Sequence, residues 1–192
     1  RELHDSRDPV LKINGASGLA TYSLLRGRPS ETIRYGSEAQ QLGEQLGGQR
    51  SNQIADSLSF SWLDMQWYND TASAIRRMDR VLAKNDIGRL SFDQRPYGAL
   101  AMFFAEAGDV QRARALMARY DAEIPDTSER RIREPGRRAV LGLIARAEGR
   151  YQDALRDLWR ADTTYDGPNG SCTICLLDDI GQTWDRRGVA DS

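Results

Sequence analysis

The sequence predicts an all-α fold of stacked antiparallel helical hairpins, and three observations lead there. Turn-forming residues recur at Gly27, Asn69, Gly108, Gly149 and Gly188, at intervals of 42, 39, 41 and 39 residues. Small residues stand five positions beyond three of these turns, at Ala74, Ala113 and Ala154. No segment shows the apolar–polar alternation of a strand. Gly and Asn accept the positive φ that ends a helix abruptly and lets the chain reverse. The small residues then let the second helix of each hairpin lie close on the first. One hairpin cannot cover its own apolar face, so neighbours must stack on it. The expectation is a single array over residues 1–192 with five hairpin units and about nine helices, preceded by a frayed N-terminal segment at 1–12.

Taken in chain order, the units differ in clarity. The one around Gly27 rests on Leu19, Ala20 and its turn. The one around Asn69 is rich in aromatics, with Phe60, Trp62, Trp67 and Tyr68 beside Leu58, Leu63 and Met65, which exceeds what one buried stripe requires. Gly47-Gly48 with Ser51-Asn52 ahead of it reads as a loop and helix start; the Lys and Ser/Thr of a phosphate-binding loop are missing. The segments 95–125 and 137–162 align with each other, each an apolar helix, a tight Gly turn and an amphipathic helix. Leu100, Phe104 and Met117 supply the wedge in the first, Leu141, Leu143 and Leu158 in the second. The last unit keeps Ile180, Gly181, Trp184 and Gly188 and stops at Ser192, before its second helix. It reads as truncated, with the remainder missing or disordered, or with another subunit over the exposed face. Since the chain opens on Arg1-Glu2-Leu3, part of a longer protein is the simplest reading.

The unit at 95–125 resembles a tetratricopeptide repeat almost throughout. Tyr97, Leu100, Ala101 and Phe104 match the aromatic–Leu–small–aromatic pattern of its first helix, and Ala113, Met117 and Pro125 the small, large and closing Pro positions of its second. The next unit keeps Leu141, Gly142, Tyr151, Ala154, Leu158 and Ala161 but has Ala145 where an aromatic is usual. In the Asn69 unit Trp62 stands where a small residue belongs. The period near 40 exceeds the family's typical ~34, and the extra length is expected in loops at 86–94 and 125–136. The resemblance implies an α-solenoid superhelix whose inner surface is lined by the first helix of each hairpin. That face maps to Phe60, Leu63, Gln66, Trp67, Met102, Glu106, Leu143, Arg146, Asp178, Gln182 and Asp185. Trp67 and Arg146, on different hairpins, would touch one extended ligand, so truncating either is expected to weaken binding while barely changing stability.

Composition bounds the alternatives. With 27 basic and 28 acidic residues the net charge is −1, a balance that argues against a nucleic-acid binder. Lys12 and Lys84 are the only lysines, which reads as the coding bias of a GC-rich bacterium. The longest apolar runs, 99–105 and 139–145, fall far short of the roughly 18–20 residues that cross a bilayer. Arg130, Arg131, Arg133, Arg137 and Arg138 form the densest basic stretch, but Glu129, Glu134 and Pro135-Gly136 interrupt it, as in a solvated inter-hairpin loop.

Candidate chemistry is sparse. Cys172 and Cys175 are the only cysteines and His4 the only histidine. A structural zinc site needs about two more ligands, and a thioredoxin-like centre needs βαβ topology. Their spacing at a helix start brings the sulfurs within disulfide reach. Two plain thiols and a local disulfide stay open, with metal or redox chemistry far behind. A disulfide would favour an extracytoplasmic over a cytoplasmic location. Asp178, Asp179 and Asp185 suit either an acidic patch or a solvated face. No nucleophile or base accompanies them, so acid–base catalysis has nothing to stand on. The expected function is a non-catalytic, cofactor-free protein–protein interaction module, with a peptide or partner helix in its groove. The alternative is an accessory subunit, or a sensor or docking segment similar to repeat regions attached to bacterial Ser/Thr kinases and regulators.

Overall fold

A computed structural model of the chain describes residues 2–47, 50–124, 127–161 and 173–188. Among these residues the chain is helical, with no strand: α1 (Pro9–Leu25), α2 (Pro29–Gln45), α3 (Arg50–Tyr68), α4 (Thr71–Lys84), α5 (Tyr97–Glu106), α6 (Val110–Glu123), α7 (Thr127–Ala147), α8 (Tyr151–Ala161) and α9 (Thr173–Arg187). The chain divides into two compact units, Arg1–Pro96 and Tyr97–Ser192, where the sequence suggested one array. The division falls just after the expected 86–94 loop, which is a pair of 3-10 turns at Ile87–Arg89 and Phe92–Gln94.

All five ladder residues have positive φ, from 51° at Asn69 to 84° at Gly108. At Gly108 the chain closes the preceding helix with the Asp109 N–H donating to the Phe104 carbonyl at 2.8 Å; Gly149 repeats the bond from Arg150 to Ala145 at 2.9 Å. An aspartate follows directly at two of the turns. Asp70 accepts from the Ser73 N–H and Asp109 from the Arg112 N–H, so the residue that ends one hairpin helix adjoins the cap of the next. Gly47 also has positive φ, a reversal between hairpins that the ladder does not contain.

In the first unit α1 pairs with α2, α3 with α4, and α2 lies on α3. The N-terminal segment, expected to be frayed, is folded against this unit. His4 sits edge-on to Tyr35 with its Nε2 3.1 Å from Glu38, and Gly15 admits its backbone where a Cβ would come within 2.2 Å. Residues 9–12 are already the start of α1, capped by Asp8.

In the second unit α5 pairs with α6, α7 with α8, α5 with α7, and α9 lies chiefly on α8. Ala113 and Ala154 are fully buried at the hairpin contacts. Gly142 allows the closest approach, since a Cβ there would stand 2.8 Å from Leu158 Cγ and 3.1 Å from the Ala154 carbonyl. The expected loop at 125–136 is a correction: from Thr127 onward it is helix, with Pro135 inside α7. Proline removes one hydrogen bond from the helix ladder, and charge pairs flank it on both sides. Arg133 pairs with Glu129 at 2.7 Å, Arg138 with Glu134 at 2.8 Å, and Arg137 reaches Asp121 of α6 at 2.7 Å. The basic stretch is therefore largely neutralised in place.

Candidate functional site

The principal concavity lies in the first unit, a groove of about 830 Å³ lined by α1, α2 and α3. Each helix contributes one stripe at helical spacing. Ile13, Ser17, Ala20 and Leu24 come from α1, Thr32, Gly36, Ala39 and Gly43 from α2, and Asp56, Phe60, Leu63 and Trp67 from α3. The α2 stripe is small, so this helix makes a low floor between taller walls. The Phe60 ring lies directly on it, with Cε1 only 2.2 Å from where a Cβ of Gly36 would stand.

Trp62 departs from the repeat pattern at this groove. Seven residues before each turn stand Ala20, Trp62, Ala101, Gly142 and Gly181, small in every case but one. In the second unit Ala101 is fully buried and α5 packs directly on α7. In the first unit the junction between hairpins runs through α2 against α3, and Trp62 and Ala20 both join the groove lining.

The groove has two chemically distinct ends. Trp67, 47% exposed, reaches the α1–α2 turn, its Cη2 3.9 Å from where a Cβ of Gly27 would stand. Tyr68 and Ser30 hydroxyls 3.3 Å apart tie the same end together. The opposite end, where α2 gives way to α3, holds Glu44 and Asp56, the only charged residues of the lining among the described residues. Asp56 has no hydrogen-bond or ion partner among the described residues, and crowding by the surrounding protein raises its pKa above the ordinary carboxylate value.

Of the residues mapped from sequence to an inner face, Phe60, Leu63, Gln66 and Trp67 all line this groove. Those of the second unit do not share one accessible surface. Leu143 belongs to a buried cluster with Leu155, Leu158 and Ile180, against which Met102 packs. Arg146 is 3% exposed; it bonds to Glu106 of α5 and to Asp179 Oδ1 of α9 at 3.0 Å. Arg186 adds a longer contact to Glu106 at 3.9 Å. The reading of Arg146 as a free ligand-binding cation is thus corrected. Its charge is consumed in fixing α9, because a buried guanidinium must be paired. Asp178 and Gln182 are exposed on α9, where the Gln182 amide donates to Asp178 at 2.8 Å, and Asp185 is exposed nearby. Cys172 and the Cys175 side chain lie outside the described residues.

Sequence reasoning missed Glu44 and the whole contribution of α2, because it assigned the inner face to first helices only, and it mapped neither Asp56 of α3 nor the stripe of α1. The signal was present as Gly36, Ala39 and Gly43, a small-residue stripe spaced by three and four.

No protein-family model matches this chain, and no curated protein or solved structure does. Among the described residues no helix is long and apolar enough to cross a membrane.

Proposed function

We propose that this chain is a non-catalytic interaction module whose first unit takes up a peptide segment or helix of a partner protein. The observation that carries this reading is the open groove itself, with a half-exposed Trp67 at one end and stripes from three helices along its length. Its size falls in the usual range of binding clefts, roughly 300–1,000 Å³, and exposed tryptophan is enriched among interface anchors. The likeness to tetratricopeptide repeats in 95–125 supports the same role by analogy of pattern alone. The partner is a protein supplying apolar side chains, in keeping with the aromatic and aliphatic walls.

A photo-crosslinking amino acid at Ser59, which lines the groove, and at Ala122, exposed on α6, tests this in source cells. A discrete protein adduct from Ser59 alone, lost on Ala20→Trp, is the expected result. Adducts from both positions, or none from Ser59, would sink the reading.

A further inference from the structure

The groove is polarised, and its polarity specifies the occupant. We propose that it binds an amphipathic helix carrying a Lys or Arg at one end of its apolar face and a large apolar side chain about three turns away. This rests on the groove's role as a peptide-binding site and adds what the peptide must be.

Length comes first. The lining of α3 runs from Gln53 to Trp67, about 21 Å at 1.5 Å per residue. That matches a ligand helix of about four turns, which would lay a row of side chains from one face in the trough.

Backbone chemistry argues for a helix over an extended segment. An extended ligand would bring unpaired N–H and C=O groups into an apolar trough, where each lost hydrogen bond is costly. The walls are helices whose own backbones are saturated, and the Gln40 amide already donates to Glu44 and Ser57. A helical ligand satisfies its own backbone and needs only side-chain complementarity.

Charge fixes direction. Glu44 and Asp56 stand at one end with no Lys or Arg in the lining, and Asp56 lacks a partner among the described residues. Trp67 lies eleven residues further along α3, about 16 Å away. A cationic side chain there would pair with Asp56 while an apolar one covers Trp67.

Two labelled peptides of about fifteen residues test this on the full chain. Both carry leucines at helical spacing on one face; one has Lys at the end of that face and the other Glu. Fluorescence anisotropy is expected to show the Lys peptide binding about tenfold tighter. The preference should collapse in Asp56→Asn/Glu44→Gln, whose side chains are both exposed and whose fold is checked by thermal melts. A preference surviving that double variant would overturn the proposal. Two central prolines, which break the ligand helix, are expected to abolish binding; retained affinity would overturn the helical requirement. If both peptides bind equally and Ala20→Trp abolishes both, the groove binds peptides but the polarity is wrong. If neither binds, or Ala20→Trp changes nothing, the proposed function fails together with this inference.

Discussion

At the scale of single residues, the structure turns a lone histidine into a reporter. Hydrogen bonding to Glu38 is the main influence raising the His4 pKa, with burial opposing it and Asp5 assisting. A raised folded-state pKa means that protonation favours the docked N-terminal segment. That contribution is complete below the unfolded value and fades as pH rises through the folded one. Because the chain has one histidine, its imidazole resonances can be titrated by NMR without assignment. The midpoint is expected above the ordinary histidine value and should fall in Glu38→Gln; an unmoved midpoint would exclude this contact. Packing residues give a second test. Ala113 and Ala154 are fully buried at hairpin contacts while Ala122 is exposed. Leucine at either buried site is expected to destabilise by about 1–3 kcal/mol through overpacking, and leucine at Ala122 by far less. Comparable losses at all three in urea melts would mean the helix register is wrong.

At the scale of elements, the two units join their hairpins differently. In the second, α5 packs on α7; in the first, α2 packs on α3 and Trp62, at the position of Ala101, lines the cleft. Arg146 secures α9 through Asp179. Burial raises the Asp179 pKa, and Arg146 opposes that rise. Replacing Arg146 by Met leaves Asp179 without its cation and Glu106 with only the longer contact to Arg186, a change expected to cost about 3 kcal/mol near neutral pH. The sign with pH follows. Without Arg146, burial raises Asp179 further, and its ionised form is what the fold cannot tolerate. The variant's deficit should therefore shrink as pH falls through the raised Asp179 pKa, once the carboxyl is neutral. A deficit that is the same at acid and neutral pH, measured by chemical denaturation, would show that packing and not charge is lost. Trp67→Ala belongs to the opposite class: at 47% exposure it should leave the melting temperature nearly unchanged.

At the scale of the molecule, the chain carries two compact units, each with its own buried residues. The first has Ala16, Ile54, Ala74 and Met78; the second has Leu100, Phe103, Phe104, Ile144 and Leu158. Residues 97–192 expressed alone are expected to give a helical circular dichroism spectrum and a cooperative melt. A non-cooperative melt would mean that this core is incomplete without the first 96 residues. The peptide-binding proposals concern the first unit only, so they should also survive changes confined to α9, such as Arg146→Met at a temperature where the chain stays folded.

What the sequence determined by itself was the local geometry. Gly27, Asn69, Gly108, Gly149 and Gly188 announce the reversals because positive φ is forbidden to most residues, a constraint that acts within a few bonds. Ala74, Ala113 and Ala154 announce close packing because their size does not depend on context. Four of the groove residues of α3 were legible for the same reason: helical spacing alone puts Phe60, Leu63, Gln66 and Trp67 on one side. Tertiary structure alone decided which faces stay open. Arg146 and Trp67 sit on equivalent-looking stripes, yet one is sealed by Glu106 and α9 and the other borders an open groove. Pro135-Gly136 looks like a break, yet α7 continues through it. Exposure is a property of what packs above a residue, and for Asp56, Glu44 and the small stripe of α2 that neighbour comes from elsewhere in the chain.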